Sequence, residues 1–559
     1  MGFKTIPIGH ENFKRIIDEN HYYIDKTLMI KDLIDNNCAV NLFTRPRRFG
    51  KTLNMSMLRY FFENTDEDNS YLFKNLNISK AGDKYLNHMG QYPVISISLK
   101  SMKQNNFKNS FANFKYILSD EFSNHKEIIE NKKIDTADRE KFISILEEKA
   151  DDTVYLNALK ILSKCLESAY EKRVIILIDE YDVPLESAYF NGYYDEMVNL
   201  IRSVFESALK TNDSIEFAVL TGCLRISKES IFTGLNNFDV YPITENAFSQ
   251  YFGFTEDEVK QAVEFYNLEK YFPKIKQWYN GYKFGSTEIY NPWSVLKYLQ
   301  SALNNDTARP EPYWSNTSSN DIIRQIIFEG DENIKYKIEE LINGGHVTAP
   351  IYEDITYRNV KINSDYIWSF LLFTGYLKPI DFFKNEHHIT CFKGVIPNIE
   401  ISTIYRSTIM QWFEEKLNST PRNELFDALL NEDTETIEDT LSDWLDETIS
   451  YYDSKENYYH GFLTGMLTGF KGYTVKSNRE SGDGRPDILI MERKKHLVAI
   501  IIEIKVADRF PHLSSKCDEA LLQINEKRYD AELIEDGFKK IIKYGISFNG
   551  KACMVKKET

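Results

Sequence analysis

The residues near the start of the chain that are best suited to chemistry are Gly50, Lys51 and Thr52, which follow a short apolar run beginning at Val40. In a loop of this kind, backbone N–H groups and a helix N-terminus face phosphate groups, a lysine reaches the terminal phosphates, and a hydroxyl residue ligates Mg²⁺. The candidate nucleotide-binding residues are therefore Arg48, Phe49, Gly50, Lys51, Thr52 and Leu53. The usual pattern has glycine where this chain has Arg45, so a basic turn that caps a surface helix is the alternative.

A second set of candidate residues follows the apolar run 174–178. Such a run is typical of a central parallel strand whose carboxyl end opens onto a site, and here it ends in Asp179 and Glu180. In that place Asp179 would hold Mg²⁺ and Glu180 would polarise an attacking water. A buried strand with acids at its solvent end is the alternative. Farther along, Thr221 ends another strand and Arg225 lies just beyond it, which suits a nucleotide-sensing role.

Several short motifs occur in a fixed order along roughly the first half of the chain. They are Arg45–Leu53, Ile178–Asp182, Thr221–Arg225, Gly234–Asn237, Trp278–Tyr282 and Tyr290–Ser294. Together they resemble the AAA-ATPase-like family that is found joined to a PD-(D/E)XK nuclease domain, and several motifs in order are more specific than one. The resemblance implies a fold that binds ATP and Mg²⁺, and it implies that arginine at position 45 is the usual form of the loop.

Near the C-terminus, Asp487, Glu503 and Lys505 have the types and spacing that metal-dependent hydrolysis needs. Residues 487–490 and 496–505 have the pattern of two strands of a β-hairpin. Strand alternation places Glu503 and Lys505 on one face, and Asp487 begins the partner strand across from them. Two carboxylates would ligate Mg²⁺, and the lysine would orient or deprotonate the attacking water.

The order of a helix, Pro486-Asp487, a hairpin and Glu503-Ile504-Lys505 resembles the PD-(D/E)XK nuclease superfamily. The resemblance implies metal-dependent cleavage of nucleic-acid phosphodiester bonds. It also implies a helix beside the site, and that helix would carry Gln523. Many members have an acid on their first helix, whereas this chain has His460 in that region, so Glu480 is the candidate for that role.

Length and charge limit what the chain can be. At 559 residues it exceeds the size of a single core, so about two to four domains are expected. A net charge of −16 argues against a protein that coats nucleic acid non-specifically. Residues 451–559 nevertheless carry +3 and the remainder −19, so a locally basic face is expected in the C-terminal part.

The compartment can also be inferred from composition. The six cysteines include no Cys-x-x-Cys pair, so neither a zinc knuckle nor a disulfide framework is expected. The N-terminus lacks the apolar core of a signal peptide, and no apolar run is long enough to span a bilayer. We therefore expect a cytoplasmic protein with no membrane association.

The predicted fold class is α/β. A P-loop NTPase parallel sheet with flanking helices is followed by a helical middle region and a C-terminal PD-(D/E)XK nuclease-like α/β domain. The predicted domains are 1–250 (ATPase-like), 251–345 (helical lid or connector), 346–450 (mostly helical linker) and 451–559 (nuclease-like). An acidic segment, 432–447, has its apolar residues on one helical face, and it is interpreted as a solvated helix between domains, or alternatively as a DNA-mimicking flap.

The predicted function is ATP binding, with hydrolysis, joined to a Mg²⁺-dependent nuclease that acts on nucleic acid, with DNA as the expected form. The alternative is an ATP-dependent regulatory switch in which the nuclease fold serves only to bind nucleic acid or protein. Retention of Asp487, Glu503 and Lys505 together favours the enzyme. The sequence leaves open whether the chain forms a homo-oligomer.

Overall fold

The structure is a computed structural model. It describes residues 4–210, 212–225, 231, 238–314, 332–342, 344–355, 365–417, 422–448, 456–467, 472–477, 486–493 and 497–558. The chain folds into two compact units. Unit 1 comprises Met1–Thr317 and Gly344–Thr403, and unit 2 comprises Ser318–Asn343 and Ile404–Thr559. The domain limits drawn from the sequence stay predictions.

Helices and strands alternate through most of the described chain. The helices are α1 (Phe13–Asp18), α2 (Leu28–Asn36), α3 (Lys51–Phe62), α4 (Asp83–Leu86), α5 (Phe107–Asn124), α6 (Thr136–Leu146), α7 (Asp152–Leu156), α8 (Ala158–Tyr170), α9 (Val183–Asn191), α10 (Tyr194–Phe205), α11 (Glu256–Phe265), α12 (Phe272–Tyr279), α13 (Pro292–Asn304), α14 (Glu332–Ile342), α15 (Asp365–Phe373), α16 (Ile399–Leu417), α17 (Arg422–Asn431), α18 (Thr434–Thr448), α19 (Glu456–Leu467), α20 (Leu513–Glu526) and α21 (Ala531–Glu535). The strands are β1 (Val40–Thr44), β2 (Val94–Ser98), β3 (Val174–Asp179), β4 (Ile215–Gly222), β5 (Phe238–Tyr241), β6 (Tyr282–Phe284), β7 (Thr287–Ile289), β8 (Val347–Pro350), β9 (Lys378–Lys384), β10 (Thr390–Val395), β11 (Tyr473–Ser477), β12 (Ile488–Glu492), β13 (Val498–Val506), β14 (Lys540–Asn549) and β15 (Ala552–Lys557). Among these described helices, none has both the length and the apolar character needed to cross a membrane.

The main sheet of unit 1 has the strand order β2-β3-β4-β1-β5, and every neighbouring pair is parallel. All six residues of β3 are buried, as expected for a central strand covered on both faces. Thr44 pairs with Gly222, and Ser98 pairs with Asp179. The ends of β1, β3 and β4 therefore meet at one edge of the sheet, which is where parallel α/β proteins place their sites. The predicted parallel α/β fold of the N-terminal part is confirmed.

Glycine is required at two positions of this edge for different reasons. Gly50 caps the N-terminus of α3 with a left-handed φ of 82°, which residues with a Cβ adopt only at a cost. Gly222 ends β4, and a Cβ at that position would lie 2.5 Å from the ring of Tyr181. The turn after β1 and the close approach after β4 thus both depend on the absence of a side chain.

The rest of unit 1 is helical with two small sheets. Helices α11, α12 and α13 share one apolar cluster that includes Val259, Ile275, Tyr279 and Leu299. Strands β6 and β7 form a hairpin, and β8, β10 and β9 form an antiparallel sheet in that order. The middle region, predicted to be mostly helical, therefore also contains this three-stranded sheet.

Unit 2 is built on a mixed sheet with the order β11-β12-β13-β14-β15. Only the pair β13 and β14 is parallel among these described strands, and the others are antiparallel. Ile488 pairs with Ile502, so the preceding residue, Asp487, lies opposite Glu503. Helix α20 packs closely on β14, because Gly545 has no Cβ that would overlap the carbonyl oxygen of Cys517.

The acidic segment forms α18, which packs on β15 within unit 2. Its apolar residues Ile437, Leu441, Trp444 and Leu445 are all buried. Glu438 Oε1 accepts the backbone N–H of Val555 at 2.7 Å. The helix is therefore part of the core of unit 2, and this packing accounts for the apolar face seen in the sequence.

If α18 is a core element, Leu441→Ala will lower the free energy of unfolding by about 2–5 kcal/mol, because it leaves a cavity under the helix. Urea unfolding of the full chain, followed by tryptophan fluorescence, measures this change. The matched control is Asp443→Ala on the exposed side of the same helix, for which we expect a change within about 0.5 kcal/mol. Equal effects of the two variants would show that the helix does not pack as described.

Candidate nucleotide-binding and metal-binding sites

The Asp179 carboxylate lies at the end of β3 and is 5% exposed. Thr52 Oγ1, in the first turn of α3, donates to Asp179 Oδ2 at 2.7 Å. Thr221 Oγ1, in β4, donates to Asp179 Oδ1. Both carboxylate oxygens are therefore partnered, and the Thr52 hydroxyl and Asp179 together offer the oxygen ligands that suit Mg²⁺.

Lys51 is the first residue of α3 and is 6% exposed. Its Nζ donates to the carbonyl oxygens of Arg45 and Pro46, each at 3.0 Å, and lies 3.7 Å from the sulfur of Cys223. A buried ammonium is costly unless it is hydrogen-bonded, and here two neutral carbonyls provide that. Phosphate oxygens are stronger acceptors because they are charged, so a phosphate could replace the carbonyls as the partner of Lys51.

Arg45 takes the place of the usual glycine, and its side chain is fully buried. Nη1 donates to the carbonyl oxygens of Thr44, at 2.9 Å, and of Tyr241. The guanidinium carbon lies 5.0 and 5.2 Å from the ring centroids of Phe252 and Phe284. Burial lowers the pKa of Arg45 to about 9, so the group remains charged at neutral pH. Arg45 thus anchors the start of the loop in the core of unit 1.

Phe49 anchors the other end of the loop. Its buried ring packs on the rings of Tyr282 and Phe284, with centroids 4.9 and 5.3 Å away. Its carbonyl oxygen accepts the N–H of Gly253 at 3.0 Å. Leu53 is half-buried on α3. The Phe49 side chain, predicted to be part of the ligand-binding loop, therefore acts on the conformation of that loop.

Glu180 follows Asp179 and has a left-handed φ of 54°, which is uncommon for a residue with a side chain. Its backbone N–H donates to Thr221 Oγ1 at 3.4 Å. Burial raises the pKa of the Glu180 carboxyl, and the neighbouring Asp179 charge adds to the rise, while Lys51 opposes it. A carboxylate with a raised pKa is a better proton acceptor, which suits a residue that polarises water.

Asp182 binds the backbone of the segment that follows β4, and Arg225 lies in that segment. Asp182 is 3% exposed, and its Oδ2 accepts the N–H groups of residues 223 and 224 at 2.7 and 3.1 Å. Arg225 forms ion pairs with Asp354, at 3.2 Å, and with Glu353, at 3.8 Å. The structure therefore holds Arg225 on these two acids rather than on the Asp179 network.

Glu400 is a buried acid that is coupled electrostatically to Arg48 of the loop. Its Oε1 accepts the Ser294 hydroxyl at 2.8 Å and the N–H of Trp314 at 2.9 Å. Its Oε2 has no hydrogen-bond partner among the residues that the structure describes. Burial raises the pKa of Glu400 to about 7, although these bonds and Arg48 oppose the rise. The Arg48 guanidinium lies 3.9 Å from the ring centroid of Trp293.

In unit 2, Asp487 and Glu503 lie side by side at one end of the sheet. The N–H of Asp487 donates to Glu503 Oε2 at 3.3 Å, and the N–H of Ile504 donates to Asp487 Oδ2 at 2.8 Å. Asp487 Oδ1 makes no hydrogen bond to any residue that the structure describes. Two adjacent carboxylates fit a hard divalent cation such as Mg²⁺.

Two donors share the other oxygen of Glu503. Lys505 Nζ lies 3.2 Å from Glu503 Oε1, and Gln523 of α20 donates to the same atom. Gln523 is itself 3.2 Å from the hydroxyl of Tyr529. The predicted residues Asp487, Glu503, Lys505 and Gln523 are therefore brought together by β12, β13 and α20.

Helix α19 of unit 2 contributes a histidine to this site. His460 of α19 has Nε2 at 2.9 Å from the carbonyl oxygen of Asp487. Glu480, the candidate acid from the sequence, lies outside the described residues. His460 therefore fixes the backbone at Asp487 and leaves the carboxylate of that residue for other partners.

The charge of Glu503 is poorly compensated by the protein alone. Glu503 is 2% exposed, and burial raises the pKa of its carboxyl to about 7. The neighbouring Asp487 charge raises that pKa further, and the effect of Lys505 is too small to cancel both. A divalent cation between the two carboxylates would remove their repulsion, so this donor set fits a metal.

Sequence reasoning missed Glu400 and the ion pair between Arg47 and Glu186. Asn398 caps α16 by accepting the N–H of Ile401 at 3.0 Å, and this cap can be recognised in the sequence. The only local sign that Glu400 is buried is that an isoleucine flanks it on each side. Strand or helix periodicity gives no signal for a single buried acid.

The fold and the two groups of residues define an α/β protein with an ATPase-like unit and a nuclease-like unit. Residues 7–232 match the family model for a Predicted AAA-ATPase, and residues 454–558 match the model for the PD-(D/E)XK nuclease superfamily. The chain thus combines an AAA-ATPase-like domain with a domain of the PD-(D/E)XK nuclease superfamily. The predicted family resemblance is confirmed.

The chain is also similar to the "Uncharacterized protein in vnfD 5'region" of Azotobacter chroococcum mcd 1. The two are 28% identical over 334 residues, which cover 59% of this chain and 57% of that protein. The match therefore spans little more than half of each protein.

Replacing Glu400 will change how stability depends on pH. The pKa of the Glu400 carboxyl is 4.5 in the unfolded chain and about 7 in the folded one, so its contribution to stability is fully present below pH 4.5 and is lost as pH rises through about 7. Between these two pH values this titration is expected to lower the free energy of unfolding of the parent by an amount on the order of 3 kcal/mol. Glu400→Gln should remove that part of the pH dependence. Urea unfolding of parent and variant at a series of pH values measures the difference.

The matched control is Glu269→Gln, which changes an exposed acid of unit 1. We expect its pH dependence to follow that of the parent. A Glu400→Gln curve that also follows the parent would show that this carboxyl does not titrate with a raised pKa.

Proposed function

We propose that unit 1 binds ATP with Mg²⁺ and hydrolyses it. Lys51 would bind the terminal phosphates, and the N–H groups around Gly50 would bind the phosphate oxygens. Thr52 and Asp179 would hold Mg²⁺, which neutralises phosphate charge when it is bound. Glu180 would accept a proton from the attacking water, and Thr221 keeps Asp179 in position. The match of residues 7–232 to an AAA-ATPase model supports this proposal.

We propose that unit 2 cleaves phosphodiester bonds of nucleic acid, with DNA as the substrate. Asp487 and Glu503 would hold Mg²⁺, which supplies Lewis-acid polarisation of the phosphate. Lys505 would orient the attacking water or take its proton, and Gln523 keeps Glu503 in the required rotamer. The phosphodiester backbone is polyanionic, so its binding needs a locally basic face, and within unit 2 the positive excess is confined to residues 451–559, which carry +3.

The observation that carries the proposal is the convergence of Asp487, Glu503 and Lys505 within direct hydrogen-bond distances. A module that only binds nucleic acid or protein has no need to bury an acid with a pKa of about 7 beside a second carboxylate. Burying such charges is costly, and a bound cation is the simplest compensation. The match of residues 454–558 to the nuclease superfamily supports the same proposal.

Lys51→Ala should weaken binding of ATP with Mg²⁺ by at least about tenfold, because it removes a charged partner of the phosphates. Glu180→Gln should keep ATP binding and lower the turnover rate about a hundredfold to ten-thousandfold. Calorimetric titration and a phosphate-release assay measure the two effects. Lys80→Ala, which removes an exposed lysine of the same unit, is the control. Equal ATP affinity in Lys51→Ala and the parent would contradict the assignment.

Asp487→Asn and Glu503→Gln should each abolish cleavage of DNA and weaken Mg²⁺ or Mn²⁺ binding, because each removes a charged ligand. Lys505→Ala should abolish cleavage and spare metal binding, since lysine acts on the water or the phosphate. The triple variant should be little worse than the worst single one. Gel assays on single-stranded and double-stranded DNA and RNA measure cleavage.

The controls for these variants are Glu535→Ala and Lys539→Ala, which alter exposed residues of unit 2. Both should retain full cleavage. Cleavage that persists in EDTA, or that survives Glu503→Gln, would favour the alternative in which the nuclease fold only binds nucleic acid or protein.

A further inference from the structure

A cluster of three ligand-type side chains lies in unit 1, outside the loop and the acids described above. It consists of His10, Glu19 and His21. One ligand atom of each residue lies within 4.8 Å of those of the other two. The ring centroids of the two histidines are 4.5 Å apart. The proposed ATPase and nuclease reactions use none of these residues.

Backbone structure brings the three residues together. Glu19 is the C-cap of α1, and Asn20 turns the chain with a left-handed φ of 52° before His21. Thr5 forms a parallel bridge with His21, and the N–H of Tyr22 donates to the Thr5 carbonyl oxygen at 2.9 Å. The segment that carries His10 is thereby held next to the end of α1.

The contacts within the cluster orient its ligand atoms. His21 Nδ1 lies 2.6 Å from Thr5 Oγ1, and His21 Nε2 lies 2.9 Å from Glu19 Oε2. Arg15 donates to the other carboxylate oxygen, Oε1, at 2.6 Å. The second ring nitrogen of a metal-binding histidine is usually hydrogen-bonded in this way, which fixes the ring. Thr5 and Arg15 therefore make the hydrogen bonds that typically orient the ligands of a metal site.

We infer that His10, Glu19 and His21 form a site for a divalent transition cation of the Zn²⁺ type. Two imidazole nitrogens and one carboxylate oxygen suit Zn²⁺, whereas Mg²⁺ and Ca²⁺ prefer oxygen ligands alone. Three protein ligands leave a fourth position for water. The site is therefore distinct in chemistry from the Mg²⁺ sites proposed for the two units.

The movement needed to close the site is small. Zn–N and Zn–O bonds of about 2.0–2.2 Å place tetrahedral ligands about 3.4 Å apart. Glu19 Oε2 and His21 Nε2 are already within that distance, at 2.9 Å. The ligand atom of His10 lies within 4.8 Å of the other two, so it needs to move inward by no more than about 1.4 Å.

A cation at this place would crosslink the N-terminal segment to α1. The His21 side chain is 10% exposed and that of Glu19 is 43% exposed, so the site lies at the surface and is open to ions from solvent. Binding to the folded chain alone would raise its melting temperature in proportion to the logarithm of the ion concentration. The inferred role is structural.

Titration of the full chain with Co²⁺, in excess Mg²⁺ and in an Asp487→Asn background, tests the site without interference from unit 2. We expect one equivalent of Co²⁺ to bind with the intense visible bands of tetrahedral coordination, and equimolar Zn²⁺ to abolish them. His10→Ala and Glu19→Gln should each weaken binding more than tenfold, and Thr5→Val should weaken it about tenfold through the orientation of His21. Zn²⁺ should raise the melting temperature of the parent and not that of His10→Ala.

The matched control is His346→Ala, which removes an exposed histidine of the same unit and should leave Co²⁺ affinity unchanged. Glu19→Gln alters an exposed side chain, so it tests the site even if a histidine variant fails to fold. Equal Co²⁺ affinity in the parent, His10→Ala and Glu19→Gln would overturn the inference and leave the cluster as a surface ion-pair network. Absence of tetrahedral bands in the parent would overturn it equally.

Discussion

The Asp179 carboxylate, which is almost fully buried at the end of β3, holds two hydroxyl groups that come from different elements. A buried carboxylate that lacks partners costs several kcal/mol, so the folded chain must keep Thr52 and Thr221 beside it. Thr52 fixes the start of α3, and Thr221 fixes the end of β4. One charge therefore sets the relative positions of three elements around the loop, and Lys51 in the same turn of α3 is placed as a consequence.

Unit 2 compensates its buried acid in another way. Glu503 receives hydrogen bonds from Lys505 and Gln523 on one oxygen and from the Asp487 backbone on the other. Burial and the Asp487 charge still raise the pKa of Glu503 to about 7, so these partners do not replace lost hydration. A pair of carboxylates in this condition gains more from a divalent cation than a fully compensated acid would. Because the Glu503 charge is incompletely compensated, the pair of carboxylates is suited to bind a metal ion.

The parts that could be predicted from the sequence are those governed by period and order. Strand alternation and a hairpin are enough to predict that Asp487, Glu503 and Lys505 lie together. The register of the two strands is strongly specified, because a slip of one residue would move these side chains to the opposite face of the sheet. The predicted fold class is confirmed, and the continuous apolar run of β3, which ends in acids, indicates a buried central strand. Arg45 could not be placed in this way, because arginine is normally a surface residue. Its burial depends on the distant residues Phe252 and Phe284.

The loop before α3 shows how long-range packing replaces the usual glycine. Arg48 adopts a left-handed φ of 65° at a cost of about 1–2 kcal/mol for a residue with a Cβ. Stacking of its guanidinium on Trp293, at 3.9 Å, is worth about 0.5–2 kcal/mol, which is of the same size. Gly50 has open space around it, so it is needed for its φ of 82° alone. The loop is thus held by Arg45 and Arg48, whose partners lie far along the chain, and its shape is specified by the whole of unit 1 rather than by local sequence.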